Sequence, residues 1–320
     1  MVAGHFSAMH IVQLTRNDVN RVAAAWNAAL PHDRLTDEGF RRTMLEDPNC
    51  EPEGMLVAMG TSGDVIGFSA CVLRRTVEGK DGGGREWEFS TGFLKGFFVA
   101  AGKEAEAGAN DLLTAAEAYC AGAGKTELRL TEYTGPYVYP GLDVRYGRLY
   151  DILVRRGFRD VGTIEDVAVD LNAPELSAGV ERARARVGPN VDVVTWRPDL
   201  LPAMRRFVEE GDQVEWFPAG WEKSYAQPDD TTLVLLRREE IVGWAHFWPG
   251  SHRAGFGPTL VLERERKKGY GSLLLLECME RARERGGERM EAGWANTGFY
   301  VANGWHITRR YAVLARELSG

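Results

Sequence analysis

The chain has 320 residues, 44% hydrophobic and 27% charged, which is enough for two domains that each bury a core. A net charge of −7 argues against non-specific nucleic-acid binding, and no apolar run approaches the roughly 18 residues of a membrane span. Cys50, Cys71, Cys120 and Cys278 are scattered without C-x-x-C or metal-ligand spacing, and MVAGHFSAMH carries no basic leader region, so reduced thiols in a cytoplasm and no metal site are expected.

In chain order, residues 10–14 read as a short strand. A helix follows, with Asn17 or Asp18 as cap and Val19, Val22, Ala23 and Trp26 on one face. Residues 55–59 and 65–73 form a hairpin signal around Ser62-Gly63-Asp64, and 81–84 a flexible glycine tip. Strands are expected at 93–99, 128–130 and 166–171, and helices at 111–120 and 150–156. Pro174, Gly179, Gly188 and Pro189 punctuate an Arg- and Ala-rich stretch, 172–190, that reads as a linker with a partly helical core. The pattern then restarts. Val191 to Asp199 echoes His10 to Asp18, Ile241-Val-Gly-Trp244 echoes Val65-Ile-Gly-Phe68, and Gly304-Trp305 echoes Gly157-Phe158, which marks an internal duplication.

The second half carries the most informative stretch. An apolar, strand-type run at 258–262 leads through polar, basic residues into Gly269-Tyr270-Gly271. Leu273, Leu276, Met279 and Ala282 then make a helical stripe. A strand, a basic glycine turn and a helix N-terminus aim backbone N–H groups, Arg266, Lys267 and Lys268 at one small volume suited to a polyphosphate. The spacing is neither G-x-G-x-x-G nor that of a P-loop. It resembles motif A of the GCN5-related N-acetyltransferases (GNAT). After an expected strand at 289–294, Asn296-Thr-Gly-Phe299-Tyr300-Val-Ala-Asn-Gly304-Trp305 is similar to the family's F-Y-x-x-x-G-F segment. It departs from the family in its Asn, which precedes Tyr300 by only four residues.

The resemblance implies an α/β chain of two GNAT-like domains, each a mixed, mostly antiparallel twisted sheet flanked by helices. Residues 1–172 would be a degenerate copy, 173–190 the linker and 191–320 the domain that binds acetyl-CoA. Counting from Val99 as from Val261, the first copy has Glu104, Ala107 and Ala109 where the second has Arg266, Gly269 and Gly271. That puts a repelling carboxylate and two Cβ atoms at the phosphate position. The aromatic stretch Tyr137 to Asp143, with Arg145 and Tyr146, either belongs to that structural copy or walls a substrate cleft.

By the same resemblance, acetyl-CoA is the cosubstrate. The strand edge Leu260, Val261 and Leu262 would receive its pantetheine, and Arg266, Lys267, Lys268, Gly269, Tyr270, Gly271 and Ser272 its pyrophosphate, with Asn296 nearby. Tyr300 matches the family's general acid. No carboxylate stands on the strand before motif A, so the base is sought at His246, which alternates with Trp244 and Trp248 onto one strand face. Glu215, Trp216, Trp221 and Glu222 stand where relatives bind the acceptor, and carboxylates among tryptophans suit a cationic amine. The expected activity is N-acetyl transfer to a small amine. Its alternatives are a non-catalytic acyl-CoA-binding regulator and a mycothiol-synthase-like acetylation of a thiol-precursor amine. Neither nucleic acid nor membrane is expected as partner, and the chain would be a pseudo-dimeric monomer or a homodimer.

Overall fold

The structure is a computed structural model that describes residues 9–74, 86–211, 221–227 and 229–318. The expected glycine tip at 81–84 lies outside them. Two compact units emerge, one of residues 1–164 with 310–320 and the other of 165–309.

The first unit starts with strand β1 (His10–Gln13) and helix α1 (Val19–Ala29), which buries the four residues of its apolar face. A short helix α2 (Asp37–Phe40) leads to strands β2 (Cys50–Met59), β3 (Val65–Leu73) and β4 (Thr91–Val99), each antiparallel to its neighbour. Helix α3 (Lys103–Gly122) then crosses to β5 (Glu127–Leu130), parallel to β4. The two-residue β6 (Leu142–Asp143) and helix α4 (Gly147–Arg155) follow. Every residue of β4 is buried, and Trp26 lies among Phe40, Phe68, Phe98 and Tyr139. Strand β7 (Arg159–Asp170) ends the first half of the sequence.

The second half repeats the order. Helix α5 (Leu176–Val187), strand β8 (Val191–Trp196) and helix α6 (Leu201–Gly211) precede β9 (Asp229–Arg237), β10 (Glu240–Trp248) and β11 (Arg253–Val261). Helix α7 (Tyr270–Glu284) crosses to β12 (Arg289–Ala292), parallel to β11. Helix α8 (Thr297–Val301) and strand β13 (His306–Glu317) close the chain. A mixed, mostly antiparallel sheet with flanking helices is therefore present in each unit, as the resemblance implied.

Two findings add to the sequence expectation. The 173–190 stretch is largely one helix, α5, packed on the second core. Leu176 and Val180 are buried, Ala183 and Val187 pack on the second core, and Arg184 pairs with the buried Glu277 of α7 at 2.5 Å. The i, i+4, i+7, i+11 stripe was present in the sequence, but the flanking prolines and glycines masked its full length. The unit boundaries also fall inside strands. Strand β5 pairs with the end of the chain (Leu314↔Leu130), whereas β12 pairs with the end of the first half (Ala292↔Val167). Each sheet thus takes its last strand from the other half of the sequence.

Candidate active site

Strand β10 alternates from Gly243 on, after a bulge between Ile241 and Gly243. Gly243 faces α7, since a Cβ there would lie 2.9 Å from Leu274, and Phe247 lies under the Arg285 guanidinium of α7. Trp244, His246 and Trp248 therefore point to the opposite face. Leu260, which pairs with Trp244, faces the same way and abuts Gly211 of α6, where a Cβ would come within 2.7 Å. The side predicted for His246 is thus the α6 face.

Strands β11 and β12 pair only from Arg253↔Arg289 to Gly255↔Glu291. Beyond that, β12 turns into α8 while β11 runs on to Val261, and a wedge opens between them. Phe256 stands at its start, on the α7 face, with the Tyr300 ring at 6.1 Å and the Trp305 ring at 6.2 Å. Tyr300 is only 7% exposed, and burial pushes its phenol above the usual tyrosine range. Among the described residues, the edge of β11 facing the wedge has no ladder partner beyond Gly255↔Glu291, and Arg266 Nε on the Val261 carbonyl, 3.2 Å away, is the side-chain donor to this edge. In the first unit the equivalent wedge is plugged: β4 and β5 part after Phe93↔Arg129, and the Phe97 N–H donates to the Tyr139 hydroxyl at 3.0 Å. Tyr139 is a core residue stacked on Trp26, so it does not wall a cleft.

The turn from β11 to α7 has the shape its glycines implied. Gly269 caps α7 at φ 89°, a left-handed conformation that glycine takes at no steric cost, and Lys267 precedes it at φ 62°. Gly271 sits in the first turn, and a Cβ there would come 3.2 Å from Phe299. The first N–H groups of α7 have no intrahelical acceptor, and the dipole favours an anion there. Arg266, Lys267 and Lys268 are exposed around this end. Buried Glu265 holds one of them, accepting from Lys268 at 2.8 Å, and also accepts from Arg237 at 2.7 Å. The Val187 and Arg186 end of α5 closes against Gly269. In the first unit α3 begins at Lys103 after Gly102 at φ 118°, so Ala107 and Ala109, which the sequence count set opposite Gly269 and Gly271, lie inside the helix, and Glu104 in its first turn accepts from the Thr61 N–H at 2.7 Å.

His246 is half-buried and meets Trp248 edge-to-face at 4.9 Å. Its Nδ1 lies 2.9 Å from the Thr232 hydroxyl and 3.7 Å from Asp229. Burial lowers its pKa below the usual 6.5, with the Asp229 carboxylate opposing, so it is neutral at physiological pH. Glu215 and Trp216 lie outside the described residues. Trp221 and Glu222 open a 3₁₀ turn, and Glu222 approaches Arg205 of α6 at 3.9 Å. Asn296 stands exposed at the start of α8 without a capping side-chain bond.

Three features escaped the sequence reading. Thr232 pairs directly with His246 across β9 and β10, and register between distant strands leaves no local signal. Asp229, three residues earlier, comes with it. The corner that carries Tyr300 is held by Glu165 and Asp166: Thr297 donates to Glu165 at 2.6 Å, Ala295 N–H to the Glu165 carbonyl at 2.9 Å, and Trp294 N–H to Asp166 at 3.3 Å. No helix among the described residues is long and apolar enough to cross a membrane.

Residues 196–305 match the model of the acetyltransferase (GNAT) family. The fold recurs across nearly the whole chain in solved structures. A GCN5-related glucosamine N-acetyltransferase region of a fungal multi-domain GH3 β-N-acetylglucosaminidase aligns with TM-score 0.74 and 14% identity, over 97% of this chain and 38% of that one. A GCN5-related N-acetyltransferase from Sphaerobacter thermophilus aligns with TM-score 0.71 and 16% identity, over 98% and 96%. A tandem GNAT protein from the clavulanic acid biosynthesis pathway aligns with TM-score 0.64 and 15% identity, over 98% and 99%. No curated protein matches the sequence.

Proposed function

Starting from a GNAT acetyltransferase domain in residues 196–305, whose fold points to acyl transfer from an acyl-CoA, we propose that the second unit moves an acetyl group from acetyl-CoA to a small cationic amine. The observation that carries this reading is the joint one at β11: an unpaired strand edge that runs straight into a glycine turn and a helix N-terminus. The residues present fit the cosubstrate. Arg266, Lys267 and the first N–H groups of α7 would hold its pyrophosphate, and the edge of β11 its pantetheine, while its thioester supplies an activated acetyl group.

Acid and base then fall on opposite faces of β11. His246, neutral on the α6 face, takes the proton that the amine nitrogen sheds as its bond to the acetyl carbon forms. Tyr300, protonated on the α7 face, gives its proton to the departing sulfur as the carbon–sulfur bond breaks. The raised phenol pKa keeps Tyr300 protonated at physiological pH, the form a general acid needs. Glu222, with Trp216 and Trp221 close to it in the sequence, suits a cationic acceptor, and the glucosamine N-acetyltransferase region among the fold neighbours puts amino sugars in the test panel.

The test is thiol release from acetyl-CoA with a panel of polyamines, aminoglycosides and amino sugars. Wild type should turn over at least one of them. Gly271→Glu, which sets a carboxylate in the first turn of α7 and against Phe299, should weaken acetyl-CoA binding by at least about tenfold while the fold survives. Tight acetyl-CoA binding without thiol release on any primary amine would favour the non-catalytic acyl-CoA-binding alternative.

A further inference from the structure

We propose that Asp229 and Thr232 form a hydrogen-bond chain that holds His246 as its Nδ1–H tautomer and leaves Nε2 as the proton acceptor for the amine. The assignment follows from counting protons. Asp229 Oδ1 already accepts from the Thr231 hydroxyl at 2.6 Å and the Thr231 N–H at 2.9 Å. Asp229 Oδ2 lies 2.5 Å from the Thr232 hydroxyl. Burial opposes ionisation of Asp229, but the bonds from Thr231 and Thr232 overcome it and hold its pKa below the usual carboxylate value. An ionised carboxylate only accepts, so the single hydroxyl proton of Thr232 is spent on Asp229. The Thr232 oxygen can then only accept from His246 Nδ1, 2.9 Å away, and that nitrogen must carry hydrogen. The direct gap from Nδ1 to Asp229, 3.7 Å, is too long for a hydrogen bond, and the Thr231 hydroxyl, itself spent on Asp229, lies at a long 3.5 Å, so Thr232 is the principal link. Thr232 is 2% exposed, which keeps water from replacing it, and the edge-to-face Trp248 ring fixes the imidazole plane.

Thr232 and Asp229 are positioning residues here. Their role rests on the reading of His246 as base, whereas the tautomer does not. The test uses the full chain labelled with ¹⁵N-histidine, at a pH above the His246 titration, with the His246 signals identified by their loss in His246→Gln. Long-range ¹H–¹⁵N correlation should show a protonated Nδ1 and a bare Nε2. Thr232→Val, which keeps the shape and removes the hydroxyl, should release the ring to the Nε2–H form; Thr232→Ser should not. In amine acetylation, kcat should fall at least about tenfold in Thr232→Val, with a ceiling near the ~10⁴ that a wrong-tautomer histidine can lose. Thr232→Ser should restore it, and the affinity for acetyl-CoA should stay at the wild-type value in both. A wild-type spectrum with Nε2 protonated overturns the chain. So does a Thr232→Val variant of wild-type kcat when His246→Ala is impaired. If His246→Ala itself keeps wild-type kcat, the base role fails, and the spectrum alone decides the tautomer.

Discussion

At the scale of single residues, Tyr300 and His246 make separable predictions. Tyr300→Phe removes one hydroxyl from a ring packed on Phe256, Phe299 and Trp305. Turnover should drop by about 10²–10⁴, the usual share of a positioned acid, while the melting temperature and acetyl-CoA affinity hold. A variant that keeps more than about half the rate, with chemistry limiting, removes Tyr300 from the mechanism. His246 titrates below 6.5 because burial disfavours its charged form. A base must be neutral, so kcat/KM should rise with pH through an inflection below 6.5 and level off above it, and this limb should vanish in His246→Gln. The same shift carries a stability consequence. Between the depressed folded pKa and the unfolded value the unfolded chain binds more protons, so His246 contributes stability above pH 6.5 that is lost as pH falls through the folded pKa.

At the scale of elements, the segment ending β7 and helix α5 bind the second unit to sequence upstream of residue 191. Without them, β12 loses its antiparallel partner and α7 loses the cover of Leu176 and Val180, worth roughly 1.5–3 kcal/mol for each buried side chain. The corner before Tyr300 also loses its bonds to Glu165 and Asp166. A fragment of residues 191–320 should therefore be poorly folded and bind no acetyl-CoA, whereas a fragment of 165–309 should keep both properties, read by circular dichroism and calorimetry. Full-length affinity in the 191–320 fragment would refute the dependence.

For the whole molecule, the duplicated plan predicts one cosubstrate per chain. The first unit has α3 already helical at Ala107 and Ala109, with Glu104 in the first turn of that helix, and its wedge is filled by the Tyr139 hydroxyl. Its structural content lies in a dry core instead, with Lys95 buried on Asp47 and the Thr43 carbonyl, and Arg74 buried on Glu88. Calorimetry should return a single acetyl-CoA site, and two equal sites would overturn the reading of the first copy as structural.

The sequence alone determined the features whose cause is local. The Val19, Val22, Ala23, Trp26 stripe, the glycine turn at 269–271 and the alternation that turns His246 and Trp248 to one face all act through backbone sterics or side-chain period, which neighbouring residues set. The repeat of those signals made the duplication legible as well. Pairing was decided only in the folded chain. Residues 167–170 and 314–317 are the ends of the long strands β7 and β13, and nothing local tells which sheet each end will join. The partners of His246 were hidden for the same reason, because the register that brings Thr232 opposite it is set by how two separate strands slide to bury their apolar faces. Linear patterning specifies what each element is; long-range packing, which minimises exposed apolar surface over the whole unit, specifies what it touches.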